Sequence, residues 1–277
     1  MRPSRLGQAG GYLGLAGYVV FLAFPLVWLA STAFKTSAEI TSARPTLLPA
    51  APTLGNFREA FEEQALGTAA LNSLQVAVAS ALITVVLAVP AAYVLARYRS
   101  PVCAVATGWV VVSQVFPLVL VIIPIFLLVR SVGLYDSRTG LVLVYVVWSL
   151  PFALWMLRGH VRAIPVELEE AAGVDGASRL RTLREIVLPL LVPGIVATAT
   201  FAFLSAWNEF FFALVLMKSP DLATLPLTLQ RFTGTEGAAR FGPLAAASLL
   251  ATVPGLVFFA LAQRRLATGA LSGAVKS

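Results

Sequence analysis

The chain has 277 residues, of which 58% are hydrophobic and only 12% are charged, and its mean hydropathy is +0.86. A soluble domain has roughly 25% charged residues. The composition therefore excludes a soluble protein and predicts an all-α integral membrane protein, folded as one transmembrane domain over residues 1–277. The net charge of +7 is explained by basic loops that face anionic membrane lipid, so we expect no nucleic-acid partner.

A membrane-spanning helix needs roughly 20 consecutive apolar residues, and six segments of the chain meet this requirement. The third contains Pro117 and Pro124, which free backbone carbonyls and predict a kink within the span. The predicted spans cover residues 12–34, 74–95, 102–129, 141–157, 193–217 and 243–261.

Six spans place both termini on the same side of the membrane. If the N-terminus is inside, more than half of the 20 lysines and arginines fall in cytoplasmic segments. That excess is what the positive-inside rule requires. The predicted orientation is N-in and C-in, which places residues 165–193 in the cytoplasm.

The sequence offers no recognisable catalytic or metal-binding group. No lysine follows a glycine as a P-loop requires, so the chain does not bind ATP by that route. The single histidine, His160, excludes an HExxH zinc site, and no Ser-His-acid group can be assembled beyond it. We predict no catalytic residue, metal or cofactor on this chain, so any energy source is another chain or an ion gradient.

Residues 165–193 form the longest polar interval in the second half of the chain. Pro165, with three glutamates behind it, favours a helix start. Asp175-Gly176 favours a sharp turn, and Ser178 can cap a second helix. The pattern predicts a helix, a turn and a helix at the membrane surface; an ordinary amphipathic connector is the alternative. The apolar positions of the second helix fall on one face: Leu180, Leu183, Val187 and Leu190.

Glu209 is the one acid deep in a predicted span. A charge at mid-span costs roughly 2.5–3.5 kcal/mol, so its side chain should face protein, water or a polar partner. It is either a lining residue of a translocation path or a structural hydrogen-bonding group. Together with Trp207 and Asn208 it offers an aromatic face, an amide and a carboxylate, which suit a neutral polyol such as a sugar. Two further polar residues in or near the spans have the same two interpretations: Gln114 and Asn72.

With these residues placed, the chain resembles the carbohydrate-uptake permeases of ABC importers, of the maltose-transporter type, over nearly its whole length. Glu170-Ala171-Ala172 followed by Asp175-Gly176-Ala177 resembles the EAA loop of these permeases. The remaining matches are Gln114, Phe116-Pro117, Ile123-Pro124, Gly133-Leu134-Tyr135-Asp136, Trp207-Asn208-Glu209-Phe210, Thr224-Leu225-Pro226-Leu227 and the tail Ser272-Gly273-Ala274-Val275-Lys276.

The resemblance implies a type I importer fold in a bacterial inner membrane, with this chain forming half of the path for a sugar. It implies a second homologous permease, two ATPase subunits that bind ATP and Mg, and an extracytoplasmic substrate-binding protein. The outer segment 35–73 is either a loop on the membrane surface or part of the docking surface for that binding protein. The residues implied in docking the ATPase are Glu170, Ala171, Ala172, Gly173, Asp175, Gly176 and Ala177.

Two alternatives to a sugar permease stay open at this point. Some carbohydrate-type permeases take glycerol-phosphate or another small polar solute. An ion-coupled secondary transporter would need ionisable groups in its spans, and only Glu209 qualifies. Gly173 departs from the EAA pattern, where a large residue is usual, and can weaken its helix by up to about 1 kcal/mol relative to alanine.

Overall fold

The computed structural model describes residues 5–233 and 240–274, and every regular element in these ranges is helical. A π-helical turn at Leu183–Val187 joins α9 to α10, and a 3-10 turn at Pro220–Leu222 precedes α12. The all-α prediction is confirmed for the described residues. The α-helices are α1 (Arg5–Ala33), α2 (Ser37–Ile40), α3 (Gly55–Gln64), α4 (Leu66–Arg97), α5 (Pro101–Ser113), α6 (Leu118–Ser131), α7 (Arg138–Ala163), α8 (Glu167–Val174), α9 (Arg179–Thr182), α10 (Leu188–Trp207), α11 (Phe211–Leu216), α12 (Leu225–Arg231) and α13 (Phe241–Ala274).

Five helical stretches in the described residues are long and apolar enough to cross a membrane, and the bent pair α5–α6 makes up to six. The order of the predicted spans is therefore confirmed, whereas the N-in, C-in orientation stays a prediction. The five stretches are Gly10–Ala33, Leu66–Arg97, Arg138–Ala163, Arg179–Trp207 and Phe241–Ala260.

The predicted kink in the third span is confirmed at Pro117, where it takes the form of a break between two helices. α5 and α6 are bent by 110° at a break over residues 114–117. Pro117 caps α6 with an extended backbone, and a proline has no N–H with which to continue the hydrogen-bond ladder of α5. Pro124, which was also expected to kink the span, lies within α6, and that helix continues to Ser131.

Two other span boundaries differ from the prediction. The fifth span was expected over 193–217, but α10 ends at Trp207 and a non-helical junction separates it from the short α11. The second span was expected to begin at residue 74, but α4 begins at Leu66. Ala65, with φ of 47°, ends α3 in a left-handed conformation, and α4 begins at the next residue.

The contacts of the chain fall into two compact units, and the larger contains Thr68–Leu227 together with the chain from Pro254 onward. Its buried cluster joins α4, α7 and α10, with Ala92, Leu157 and Leu191 at 0–1% exposure. Small side chains on α4 let neighbouring helices approach closely, as is usual between helices in a membrane. This cluster is the platform that positions the residues discussed below.

The smaller unit, Met1–Gly67 with Thr228–Val253, contains most of the predicted outer segment 35–73. Asn56 is buried and donates hydrogen bonds to the carbonyl oxygens of Ala33 at 2.9 Å and Lys35 at 2.8 Å. Gly242 packs on this amide, since a Cβ there would lie 2.3 Å from Asn56 Oδ1. The segment is therefore packed around α2 and α3; its docking role and the single-domain reading of 1–277 both stay predictions.

Candidate functional site

The 165–193 segment forms the predicted helix, sharp turn and helix. Gly176 has φ of +82°, a conformation that residues with a Cβ rarely adopt. The N–H of Ala177 donates to the carbonyl of Ala172 at 2.9 Å, and the N–H of Gly176 donates to that of Gly173 at 3.1 Å. These bonds close the C-terminus of α8 around a left-handed glycine, which fixes the direction of the turn.

The caps of the two helices follow the prediction at one end only. The Ser178 side chain accepts a hydrogen bond from the N–H of Arg181 and so begins α9, as expected. Pro165 does not open α8, because the helix begins at Glu167 with Val166 as its N-cap. The proline lies in the connection between α7, which ends at Ala163, and α8.

The predicted apolar face of the second helix is half right. Val187 is fully buried and Leu183 packs beside it, but Leu180 and Leu190 are 75% and 50% exposed. For Leu190 the π-helical turn explains the difference, since the N–H of Leu188 donates to the carbonyl of Leu183 and one extra residue enters the turn. Downstream positions rotate accordingly, and Leu191 faces the core instead.

Most of the residues implied in docking are exposed on this chain. Ala172 is buried at 8% exposure, and Ala177 is half-buried. Two apolar side chains of the same surface are also exposed, Val174 at 88% and Leu180 at 75%. A surface of small, acidic and apolar groups is thus free for a partner. The exposed docking residues are Glu170, Ala171, Gly173, Asp175 and Gly176.

An ion pair that the sequence analysis missed fastens this segment to the end of α4. Arg97 Nε donates to Glu169 Oε1 at 2.7 Å, and Arg97 also donates to the carbonyl of Ile164 at 2.8 Å. The hydroxyl of Tyr93 donates to the other oxygen of Glu169 at 2.7 Å. Both charged side chains are nearly buried, at 14% and 11% exposure, so removing one partner would leave a costly unpaired charge.

Gln114 lies at a cavity of about 400 Å³ within the larger unit, which we call the aromatic cavity. The break between α5 and α6 opens onto it, and non-helical backbone at membrane depth is tolerated where it lines such a space. Aromatic and small polar side chains line it, and no acidic side chain does. The lining side chains used below are Trp109, Gln114, Trp148 and Ser149.

Glu209 was expected within a helix, but it lies in the junction between α10 and α11. Its carboxylate accepts hydrogen bonds from the N–H groups of Phe212 at 2.9 Å and Ala213 at 3.2 Å, and so caps α11. The hydroxyl of Tyr145, a buried residue on α7, donates to Glu209 Oε2 at 2.8 Å. The structure therefore gives Glu209 three hydrogen bonds within the chain.

The other predicted path residues are not gathered around Glu209. Asn208 is exposed, and its amide donates to the carbonyl of Leu204 in its own helix at 2.8 Å. Trp207 is 4% exposed and stacks with Phe203 at a centroid distance of 5.9 Å. Asn72, at 2% exposure, donates to the carbonyl oxygens of Asp221 at 2.8 Å and Ala223 at 3.0 Å. Of the predicted path residues, Gln114 alone lines the aromatic cavity.

On another loop of the larger unit, Asp136 joins the α6–α7 connection to the chain after α11. Its carboxylate accepts hydrogen bonds from the Ser219 hydroxyl at 2.5 Å and from the N–H groups of Ser219 at 3.0 Å and Lys218 at 2.8 Å. These bonds, above all that of the Ser219 hydroxyl, hold the pKa of Asp136 below its ordinary value. Asp136 adopts φ of 54° to make them.

Chemically, this arrangement suits reversible binding and passage. Among the residues whose side chains the structure describes (10–62, 65–233 and 240–260), no three His, Cys, Asp or Glu side chains lie where they could hold a metal ion together. The aromatic cavity provides π faces, hydroxyls and an amide, which can bind a polar solute without a covalent step.

A family model described as the inner membrane component of binding-protein-dependent transport systems matches residues 84–269. The chain belongs to this family. Its members are transport subunits of the bacterial inner membrane, so this chain is a multi-pass permease subunit. The family also sets aside the ion-coupled secondary transporter.

Curated relatives match nearly full length. Protein ORF1 of Streptomyces antibioticus is 63% identical over 230 residues, which are 83% of this chain and 100% of that protein. The sulfoquinovosyl glycerol permease SmoH of Agrobacterium fabrum is 37% identical, covering 91% of this chain and 88% of SmoH. The diacetylchitobiose permease DasC of Streptomyces coelicolor is 36% identical over the whole of both chains.

A solved structure confirms the fold. The structure is that of a bacterial ABC transporter involved in import of the acidic polysaccharide alginate, and its TM-score with this chain is 0.80. The match is 22% identical and covers 95% of this chain and 99% of that one. The predicted type I importer permease fold is therefore correct.

Proposed function

We propose that this permease forms half of the translocation path of an ATP-driven sugar importer and that its 165–193 segment docks a cytoplasmic ATPase. The observation that carries the docking role is the exposed surface of α8 and its turn, fixed by Gly176 in a left-handed conformation. ATP and Mg are bound by the ATPase subunits, and this chain supplies neither site.

The segment is built to transmit a displacement. Glu169 fastens α8 to the end of α4, and α9 runs through the π-helical turn into α10 without interruption. A movement of the docked surface is therefore delivered directly to two helices that span the membrane. ATP can shift the path between its two states only if the ATPase contacts this surface differently in each state.

A sugar is the substrate class that the relatives and the aromatic cavity favour. Two of the relatives named above are permeases for sulfoquinovosyl glycerol and diacetylchitobiose, both of which carry sugar rings. In the cavity, Trp109 and Trp148 offer ring faces for the apolar side of a sugar, and Gln114 and Ser149 offer hydrogen bonds to its hydroxyls. Glycerol-phosphate fits less well, because no basic side chain lines this cavity.

A second permease completes the proposed path, with a substrate-binding protein delivering the solute from outside. The span Gly10–Ala33 has a mean hydropathy of 2.1 over its most apolar 18 residues, yet this chain buries none of those residues. A spanning helix packs through close contact with other helices. The second subunit would supply those contacts, and two ATPase subunits would lie beneath the pair.

The coupling role is tested in the assembled importer with Gly176→Val. The variant must force a left-handed residue, at a cost of about 1–2 kcal/mol, while its Cβ meets no atom within 4 Å. Gly159→Ala on α7 is the matched control, since it also has open space and no left-handed φ.

We expect normal abundance, ATP hydrolysis without uptake, and at least a tenfold loss of sugar uptake for Gly176→Val, with the control unchanged. Glu170→Lys, which reverses an exposed charge of the same surface, should behave alike. Wild-type uptake by either variant at wild-type abundance would refute the coupling role.

A further inference from the structure

A second cavity of the larger unit, of about 700 Å³, lies where α4 ends, α5 begins and α7 ends; we call it the basic cavity. Its polar lining consists of Tyr98, Arg99, Ser100, Thr107, Arg158 and Arg162, and no acidic side chain lines it. Three guanidinium groups around one space repel each other unless an anion is bound there.

Two of these arginines make no contact within the described chain that would neutralise them. Arg158 donates to the carbonyl of Leu95 at 3.1 Å, whereas the side chains of Arg99 and Arg162 are exposed and have no hydrogen-bond or ion-pair partner among the described residues. The neighbouring Arg97 is different, because it is paired with Glu169. The excess positive charge therefore belongs to the basic cavity itself.

The basic cavity lies on the face that carries the 165–193 segment. Tyr98, which lines it, accepts a hydrogen bond on its hydroxyl from Arg179 of α9 at 2.7 Å. If that face is cytoplasmic, as the proposed function requires, the cavity lies at the level of the inner leaflet. The anionic phospholipids of that leaflet attract basic groups placed just beyond a membrane span.

Apolar surface leads from the basic cavity into the membrane. On α5, Val102 and Val105 lie three residues apart on one face of the helix and are 76% and 73% exposed. On α7, Trp155 is 61% exposed and shares a groove with Arg158 and Arg162. Tryptophan at this depth is typical of the membrane–water interface. The acyl chains of a lipid would lie against both apolar surfaces while its phosphate stays among the arginines. A free phosphate ion would make no use of these apolar surfaces.

We propose that the basic cavity binds the phosphodiester headgroup of an anionic phospholipid. The lipid would link the ends of α4, α5 and α7 next to the 165–193 segment, so its occupancy would stabilise the platform on which that segment rests. The ligand is recognised by its charge and by the adjoining hydrocarbon surface. The inference depends on the proposed function only for the side of the membrane.

The test uses the importer purified with its partners and returned to phosphatidylcholine nanodiscs with or without phosphatidylglycerol. The variant is Arg99→Gln/Arg162→Gln, which removes two charges and no contact within the chain, and keeps Arg158 for its bond to α4. Arg130→Gln is the matched control, because Arg130 is an exposed arginine in the last turn of α6, outside the basic cavity. Native mass spectrometry counts retained lipid, and thermal unfolding measures its effect.

We expect the wild type and the control to retain phosphatidylglycerol and to unfold at a higher temperature with it. The double variant should hold it on the order of tenfold more weakly. Equal retention by wild type and double variant would overturn the proposal. So would equal protection by inorganic phosphate in pure phosphatidylcholine, which would indicate a free-anion site. Loss of the ATPase from the double variant without any lipid effect would instead assign these arginines to the ATPase, and the Gly176→Val experiment would still decide the coupling role separately.

Discussion

Replacement of Glu209 by alanine distinguishes a structural role from a substrate-binding role for this residue. The substitution removes the acceptor for two N–H groups of α11, and the loss of a helix cap costs about 0.5–2 kcal/mol. It also leaves the buried hydroxyl of Tyr145 without its partner, which costs about 1–3 kcal/mol. We therefore expect Glu209→Ala to destabilise the protein by about 1.5–5 kcal/mol in total.

A double-mutant cycle gives this prediction a definite sign. In a Tyr145→Phe background no hydroxyl is left unpaired, so Glu209→Ala should cost about 1–2 kcal/mol less than it does in the wild type. Asn208→Ala is the neighbouring control, because its exposed amide donates within its own helix. Its expected cost is below about 1 kcal/mol.

The assay is thermal unfolding of the purified importer, together with the KM for uptake. The structural account predicts a fall of several degrees for Glu209→Ala, a partial recovery in the Tyr145→Phe background, and an unchanged KM in the importer that stays folded. A raised KM with unchanged thermal stability would refute the reasoning and return Glu209 to the substrate path.

Three further predictions concern stability. The lowered pKa of Asp136 contributes stability above about pH 4, the pKa of the unfolded state, and that stability is lost as the pH falls through the folded pKa. The acid-induced loss of thermal stability should therefore be smaller in Asp136→Asn than in the wild type. An identical pH profile for the two proteins would contradict the Ser219 hydrogen bonds. Gly194→Ala would place a Cβ 2.6 Å from Cγ of His160 and should cost about 1–3 kcal/mol on unfolding. In Gly140→Ala the new Cβ would lie 2.2 Å from the carbonyl oxygen of Leu134, so this variant should destabilise the protein more than Gly194→Ala, by about 3 kcal/mol. A larger loss of stability in Gly194→Ala than in Gly140→Ala would refute this packing.

The sequence predicted the order of the spans, because a long apolar segment is stable mainly inside a membrane. It did not predict the junction at 208–210, since averaging hydropathy over 193–217 hides three residues that leave the helix. A local signal was present, because an acid that precedes the run Phe211–Leu216 is well placed to cap a new helix. The partner of that acid, Tyr145, lies on α7 and is set by tertiary packing.

The 110° bend after α5 shows the same limit. Pro117 does predict a break in the hydrogen-bond ladder, but its angle depends on the neighbours that α6 meets, above all α11. The sequence likewise indicated Gln114 as a polar residue in a span, but it did not indicate that the rings of Trp109 and Trp148 line the same cavity. Aromatic residues in a span are usually interpreted as core packing. The turn at Gly176 was predictable because its left-handed conformation depends on local chemistry alone.

The central claim is that this permease works as one part of an ATP-driven assembly. The most direct test is to purify the tagged chain gently from its native membrane and to identify and quantify the proteins that accompany it. The account predicts a second, homologous permease and an ATPase, with two ATPase subunits for each permease pair. Recovery of this chain alone, stable and transporting a solute in liposomes under an ion gradient, would contradict it.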